Sequence, residues 1–125
     1  MRKYLVAALV ALVSTDAAAA DWRLVSTAAD GMRTYLDVSS VVTNGNYRTT
    51  WEKTVNAKLE GDGTAYAVDH WSYDCSKRTF VLLSWVRYRG DGSTISSNQI
   101  PAYSREERDV VPDTIGEALF KLVCN

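Results

Sequence analysis

The residues in this chain whose types and spacing could do chemistry are few, and the strongest are two thiols. Cys75 and Cys124 are the only cysteines. In an oxidising compartment such a pair forms one disulfide; in a reducing one it remains as two buried thiols. The two lack the C-x-x-C spacing of a redox-active pair, so a bridge between them is structural. The single histidine, His70, has no second histidine to share a metal with, and on a strand its neighbour Asp69 points to the opposite face. It reads as a structural or surface residue. Glu52 and Asp69 would make a carboxylate pair suited to acid–base work if their strands aligned them, but nothing in the sequence sets that register. No G-x-S-x-G, Gly-rich phosphate loop, H-E-x-x-H or EF-hand pattern occurs. The expectation is a non-enzymatic protein with no metal or cofactor, because a hydrolase needs a nucleophile with its base.

The elements that must position these residues are mainly strands. Short β-favouring runs separated by Gly, Asn and Asp extend from Asp21 to about Asn98. Trp22 to Thr27 and Arg33 to Val38 are strand candidates joined at Asp30-Gly31. Asn44-Gly45 separates Ser40 to Thr43 from Tyr47 to Val55. Along that last run Tyr47, Thr49, Trp51 and Val55 share one face, and Arg48, Thr50, Glu52 and Thr54 share the other. Ala65 to Tyr73 and the long apolar run Arg78 to Tyr88 follow, joined through Asp74-Cys75-Ser76-Lys77, with Thr94 to Asn98 as a polar edge strand. The period then changes: Ile115, Ala118, Leu119, Leu122 and Val123 form a helical stripe, and Thr114 and Glu117 have capping-box spacing. The fold class is therefore α+β, an antiparallel meander of about five to six strands with one C-terminal helix tethered through Cys75 and Cys124. The charge run Arg105-Glu106-Glu107-Arg108-Asp109 reads as a solvated loop before the helix.

Residues 1–20 have the parts of a signal peptide: basic Arg2 and Lys3, an apolar run from Leu5 to Val13, and the A-x-A pattern of Ala18-Ala19-Ala20. That run is far short of the roughly 20 residues that span a bilayer. Cleavage would leave residues 21–125 as one domain with 12 basic and 14 acidic residues, since Arg2, Lys3 and Asp16 are removed. A net charge of −2 on that stretch carries no footprint for nucleic acid or an anionic membrane. With no cysteine before Cys75 to carry a lipid, the expected product is periplasmic or secreted.

Trp22, Trp51, Trp71 and Trp85 with Tyr35, Tyr47, Tyr66, Tyr73, Tyr88 and Tyr103 are many aromatics for so small a domain. One helix covers only part of one sheet face. Part of the aromatic surface then either forms cross-strand pairs or meets a partner, a second copy in a homodimer, or a ligand. Trp51, Trp71, Tyr47 and Tyr73 are the candidate binding surface.

An ordered set of segments resembles the surface-adhesin E family over nearly all of residues 21–125. It comprises Trp22-Arg23-Leu24-Val25, then Tyr35-Leu36-Asp37-Val38-Ser39-Ser40-Val41, then Trp51. Asp74-Cys75-Ser76-Lys77-Arg78-Thr79-Phe80 and Ser84 with Tyr88-Arg89-Gly90-Asp91-Gly92 follow. Val111-Pro112-Asp113-Thr114-Ile115-Gly116-Glu117-Ala118-Leu119 then leads to Val123-Cys124. The resemblance implies a sheet with a C-terminal helix tied by Cys75 and Cys124, and attachment to host extracellular proteins such as vitronectin and laminin. The chain departs from the family in lacking a lipobox cysteine and in having Pro112-Asp113-Thr114 where Pro-Gly-Ser is commoner. The resulting expectation is an exported binding domain for a host matrix or envelope protein. The alternative is a periplasmic small-ligand carrier with an apolar pocket between sheet and helix.

Overall fold

The computed structural model describes residues 19–125, so the expected signal segment lies, up to residue 18, outside the described residues. Eight strands form one antiparallel sheet, a curled half-barrel. They are β1 (Trp22–Thr27), β2 (Arg33–Asp37), β3 (Val42–Asn44), β4 (Tyr47–Val55), β5 (Tyr66–Asp74), β6 (Thr79–Tyr88), β7 (Thr94–Gln99) and β8 (Arg108–Asp109). Six follow the meander order β1-β2-β4-β5-β6-β7; β3 adds to β4, and β8 to β6. On its edge away from β5 the long β4 serves two partners, β3 through Tyr47 to Thr49 and β2 through Glu52 to Val55.

Local chemistry sets the breaks. At the end of β2 the Asp37 carboxylate accepts from the backbone N–H groups of Asp21 and Ser39, 2.9 and 3.0 Å away. That Asx-type turn folds Val38–Ser40 into a 3-10 turn and delays the next strand to Val42, two residues later than the alternation suggested. In the β5–β6 hairpin the Asp74 carboxylate accepts from Ser76 N–H and Lys77 N–H, each at 3.0 Å. This carboxylate fixes the loop that carries Cys75. Asp109 and Arg108 of the charge run pair with Thr79 and Phe80, so that part of the expected loop is a strand, though both residues stay exposed.

The helix α1 (Ile115–Val123) starts where the capping box placed it: Thr114 accepts from Glu117 N–H, and Glu117 accepts from Asp113 N–H at 3.4 Å. Asp113 sits at φ 61°, in the left-handed region where a glycine would cost less. The helix buries Leu119, Phe120 and Val123. Phe120 lies outside the expected stripe and is buried, whereas Leu122 lies inside it and is 58% exposed. So short a helix buries only one narrow side, and Phe120 takes the inward position facing Tyr73 at 6.4 Å between ring centroids. Leu36, Tyr73, Val110, Leu119, Phe120 and Val123 form the core, with Val25, Trp71, Phe80 and Ile115 packed against it. Cys75 and Cys124 are disulfide-bonded with their Cα atoms 5.5 Å apart, tying the end of α1 to the β5–β6 hairpin. Among the described residues no helix is long and apolar enough to cross a membrane.

Candidate functional site

The sheet has two chemically different faces, and the four aromatic candidates divide between them. Direct cross-strand partners share a face, so the register assigns each one. Trp51 is opposite His70 and Tyr47 opposite Asp74, whereas Trp71 is opposite Thr50 and Tyr73 opposite Arg48. Trp51 and Tyr47 therefore lie on the outer face, away from α1, and Trp71 and Tyr73 lie on the inner face beneath it. Tyr73 is only 2% exposed. As a member of the surface patch it must be corrected: its ring is needed to pack Phe80 and Phe120.

The outer face is a band of stacked rings. Trp51 and His70 lie 4.4 Å apart and 9° from parallel, and Tyr66 and Tyr88 lie 4.8 Å apart and 13° from parallel. Lys53 extends its ammonium over Trp22 at 4.6 Å and Tyr35 at 5.4 Å. Tyr47 and Leu24 at its margins are 52% and 55% exposed. Burial against Trp51 and its neighbours, then the nearby charge of Arg105, hold the His70 pKa below its ordinary value. His70 is thus neutral near pH 7 and stacks as an uncharged ring. Beside it, His70, Leu83, Ser84, Ile100, Pro101 and Arg105 line a shallow depression of about 450 Å³.

The inner face is polar where it is most buried. On β4 the outward face carries Tyr47 and Trp51, whereas the most buried inward residues are Thr50 and Glu52, 0% and 5% exposed. Glu52 Oε2 accepts hydrogen bonds from the Tyr73 hydroxyl at 2.6 Å and the Thr50 hydroxyl at 2.8 Å. Asp69 is directly opposite Glu52, the register that the sequence left open. Burial pushes the Glu52 pKa up to about 7; the two hydroxyl bonds hold it down, and the like charge of Asp69 raises it further. Burial also lifts Asp69 to about 6, against the pull of Arg87. Tyr73 is pushed up by burial and by the Glu52 charge it bonds to.

Between this layer and α1 lies a cavity of about 260 Å³, lined by Glu52, Thr54, Trp71, Tyr73, Phe80, Ile115, Gly116 and Leu119, with Met32 and Thr34 at its β2 side. Past Met32 and Thr54 it continues into a larger depression, of about 350 Å³, at Asp69, Trp85 and Arg87. A β-bulge at Leu83 of β6 brings Leu82 opposite Trp71 and helps shape this trough. Among the described residues no three His, Cys, Asp or Glu side chains converge as metal ligands. The arrangement sets a proton-holding carboxyl, hydrogen-bonded to the Thr50 and Tyr73 hydroxyls, beside an apolar wall. Sequence reasoning named Glu52 with Asp69 as a possible carboxylate pair and Trp71 with Tyr73 as surface aromatics, without joining the two sets. The i, i+2 spacing of Thr50 and Glu52 was the one local sign of their network.

Three crystal structures of protein E from Haemophilus influenzae share this fold. The selenomethionine form matches with TM-score 0.58 at 12% identity, covering 85% of this chain and 90% of that one. A second structure matches with TM-score 0.56 at 11% identity, covering 82% and 83%. Crystal form II matches with TM-score 0.53 at 10% identity, covering 73% and 79%. No match is found among curated protein sequences. The family model described as Surface-adhesin protein E matches residues 22–125, from the first strand to past the disulfide-tethered helix. The chain belongs to the surface-adhesin E family.

Proposed function

We propose that this chain is an exported, non-enzymatic binding domain that engages a protein partner through its outer sheet face. Residues 1–20 serve as its signal peptide and residues 21–125 as the adhesin E domain. The observation that carries the reading is the aromatic band on the side of the sheet away from α1, with Trp51 stacked on His70 and Tyr47 half exposed at its edge. Aromatic side chains that are amphipathic and already ordered lose little entropy on docking and are the usual anchors of protein interfaces. The flanking cations Lys53, over Trp22 and Tyr35, and Arg33, 5.9 Å from the Tyr35 ring, suit a partner with acidic residues around its contact. Family membership supports an adhesin-like role, and a host matrix protein or an envelope protein is the partner proposed.

The test combines location with binding. Protease treatment of intact cells, read with an antibody to residues 21–125, reports whether the domain is exposed. Surface plasmon resonance against vitronectin, laminin and detergent-solubilised envelope proteins then compares wild type with Trp51→Ala and Tyr47→Ala. A partner lost on both substitutions, with the circular dichroism unchanged, supports the outer face. A partner retained by both variants removes it.

A second reading is favoured by the cavity of about 260 Å³ between sheet and α1. Here the domain is a small-ligand carrier, and Trp71 and Tyr73 act as pocket walls instead of as a surface.

A further inference from the structure

We propose that the cavity between α1 and the sheet binds a small organic amine, its ammonium paired with Glu52 and its apolar body against Trp71, Phe80 and Leu119. This deepens, and rests on, the carrier reading of that cavity.

Four features of the cavity specify this class of ligand. Glu52 is the one charged side chain among the residues lining it, and it is 5% exposed. Both hydrogen bonds to its carboxylate fall on Oε2, from Tyr73 and Thr50. Oε1 is the oxygen left to a ligand. An ionised carboxylate removed from water is costly alone and is stabilised by a cation brought to it. The remaining walls suit the rest of an amine: Trp71 and Phe80 meet edge to face at 5.4 Å, and their rings with Tyr73 offer both apolar surface and cation–π attraction. The volume, about 260 Å³, holds roughly nine water-sized groups, the size of a phenyl ring with a two-carbon amine.

The helix leaves this space open by a specific residue. Gly116 lies in the first turn of α1, and a Cβ built there meets Thr114 Oγ1 at 3.5 Å and the Phe80 ring at 3.8 Å. Longer side chains would enter the cavity. The helix N-terminus, whose dipole opposes a cation, is already answered by the Thr114 cap and by the Glu117 carboxylate on the same turn. No cationic side chain lines the cavity: α1 contributes Ile115, Gly116 and Leu119, and the β2 side contributes Met32 and Thr34. The titratable groups facing Glu52 are Tyr73 and Asp69 from β5.

The probes are 2-phenylethylamine and its neutral counterpart 2-phenylethanol, titrated into the disulfide-intact protein by calorimetry and by amide chemical shifts. The amine should bind at least tenfold more tightly than the alcohol at pH 8. Its affinity should fall roughly ten- to hundredfold at pH 5, where little of Glu52 is ionised. Glu52→Gln should abolish the preference for the amine while leaving alcohol binding in place. Gly116→Met, which fills the cavity without touching the carboxylate, should abolish both. Amide spectra of each variant check that it is folded. Equal affinity for amine and alcohol in the wild type would overturn the amine assignment and leave the carrier reading standing. Binding of neither probe would overturn both.

Discussion

Replacing Glu52 by glutamine should flatten the dependence of stability on pH above about 5. In the folded protein the Glu52 pKa is raised from 4.5 to about 7, so the folded state holds a proton that the unfolded chain releases. The contribution of this group is fully present below pH 4.5 and is lost as pH rises through 7. Two and a half units at about 1.4 kcal/mol each make about 3 kcal/mol lost by pH 8. Glutamine keeps an oxygen able to accept from Tyr73 and Thr50 and carries no charge to desolvate. The variant should match the wild type near pH 4.5 and exceed it by about 3 kcal/mol at pH 8. With a urea slope of about 2 kcal/mol/M, that is a midpoint higher by about 1.5 M. Asp69, raised to about 6, leaves a smaller fall through pH 6 in the variant, which a further Asp69→Asn should remove. Asp37 and Asp74, whose pKa values are lowered by hydrogen bonds, act in the opposite sense and only below about pH 4. The assay is urea denaturation followed by tryptophan fluorescence at half-unit steps from pH 4.5 to 8.5. A wild-type minus variant difference that stays constant over this range would refute the argument that burial dominates at Glu52.

Two further predictions concern the helix. Cys75→Ala with Cys124→Ala opens a loop closed over a sequence separation of 49, which the chain-entropy model values at about 4 kcal/mol. Denaturation should show a loss of that order, and hydrogen exchange should show α1 losing protection before β4 to β6; unchanged stability would refute the tether. Thr114→Ala removes the acceptor for Glu117 N–H and should cost about 1 kcal/mol by thermal denaturation, an effect that a Thr114→Ser variant should largely avoid.

The parts legible in the sequence were those set by near neighbours. The strands β1, β4 and β6, the hairpin holding Cys75 and the start of α1 at Thr114 all follow from period and cap chemistry within a few residues. What could not be read was set across strands. Asp69 meets Glu52 only because β4 and β5 align Val55 with Tyr66, and Trp71 meets Leu82 only because the β5–β6 ladder passes over Leu83, a bulge with no local signature. The faces of β4 mislead for the same reason. A polar run of Thr50, Glu52 and Thr54 looks like a solvent face until Tyr73, from another strand, satisfies the carboxylate and lets it be buried. The exposed Leu122 and buried Phe120 likewise depend on where α1 lands on the sheet.

The core has a consequence for the order of events during synthesis. Leu36 and Tyr73 lie early and midway along the chain, but the residues that cover them, Leu119, Phe120 and Val123, belong to α1. A ribosome delivering the chain from its N-terminus presents a sheet with an uncovered inner face until position 123 has emerged. Until then the nascent domain cannot close, and Cys75 has no partner thiol. The last turn of helix, which brings Val123 to the core and Cys124 to Cys75, acts as the latch that ends that state.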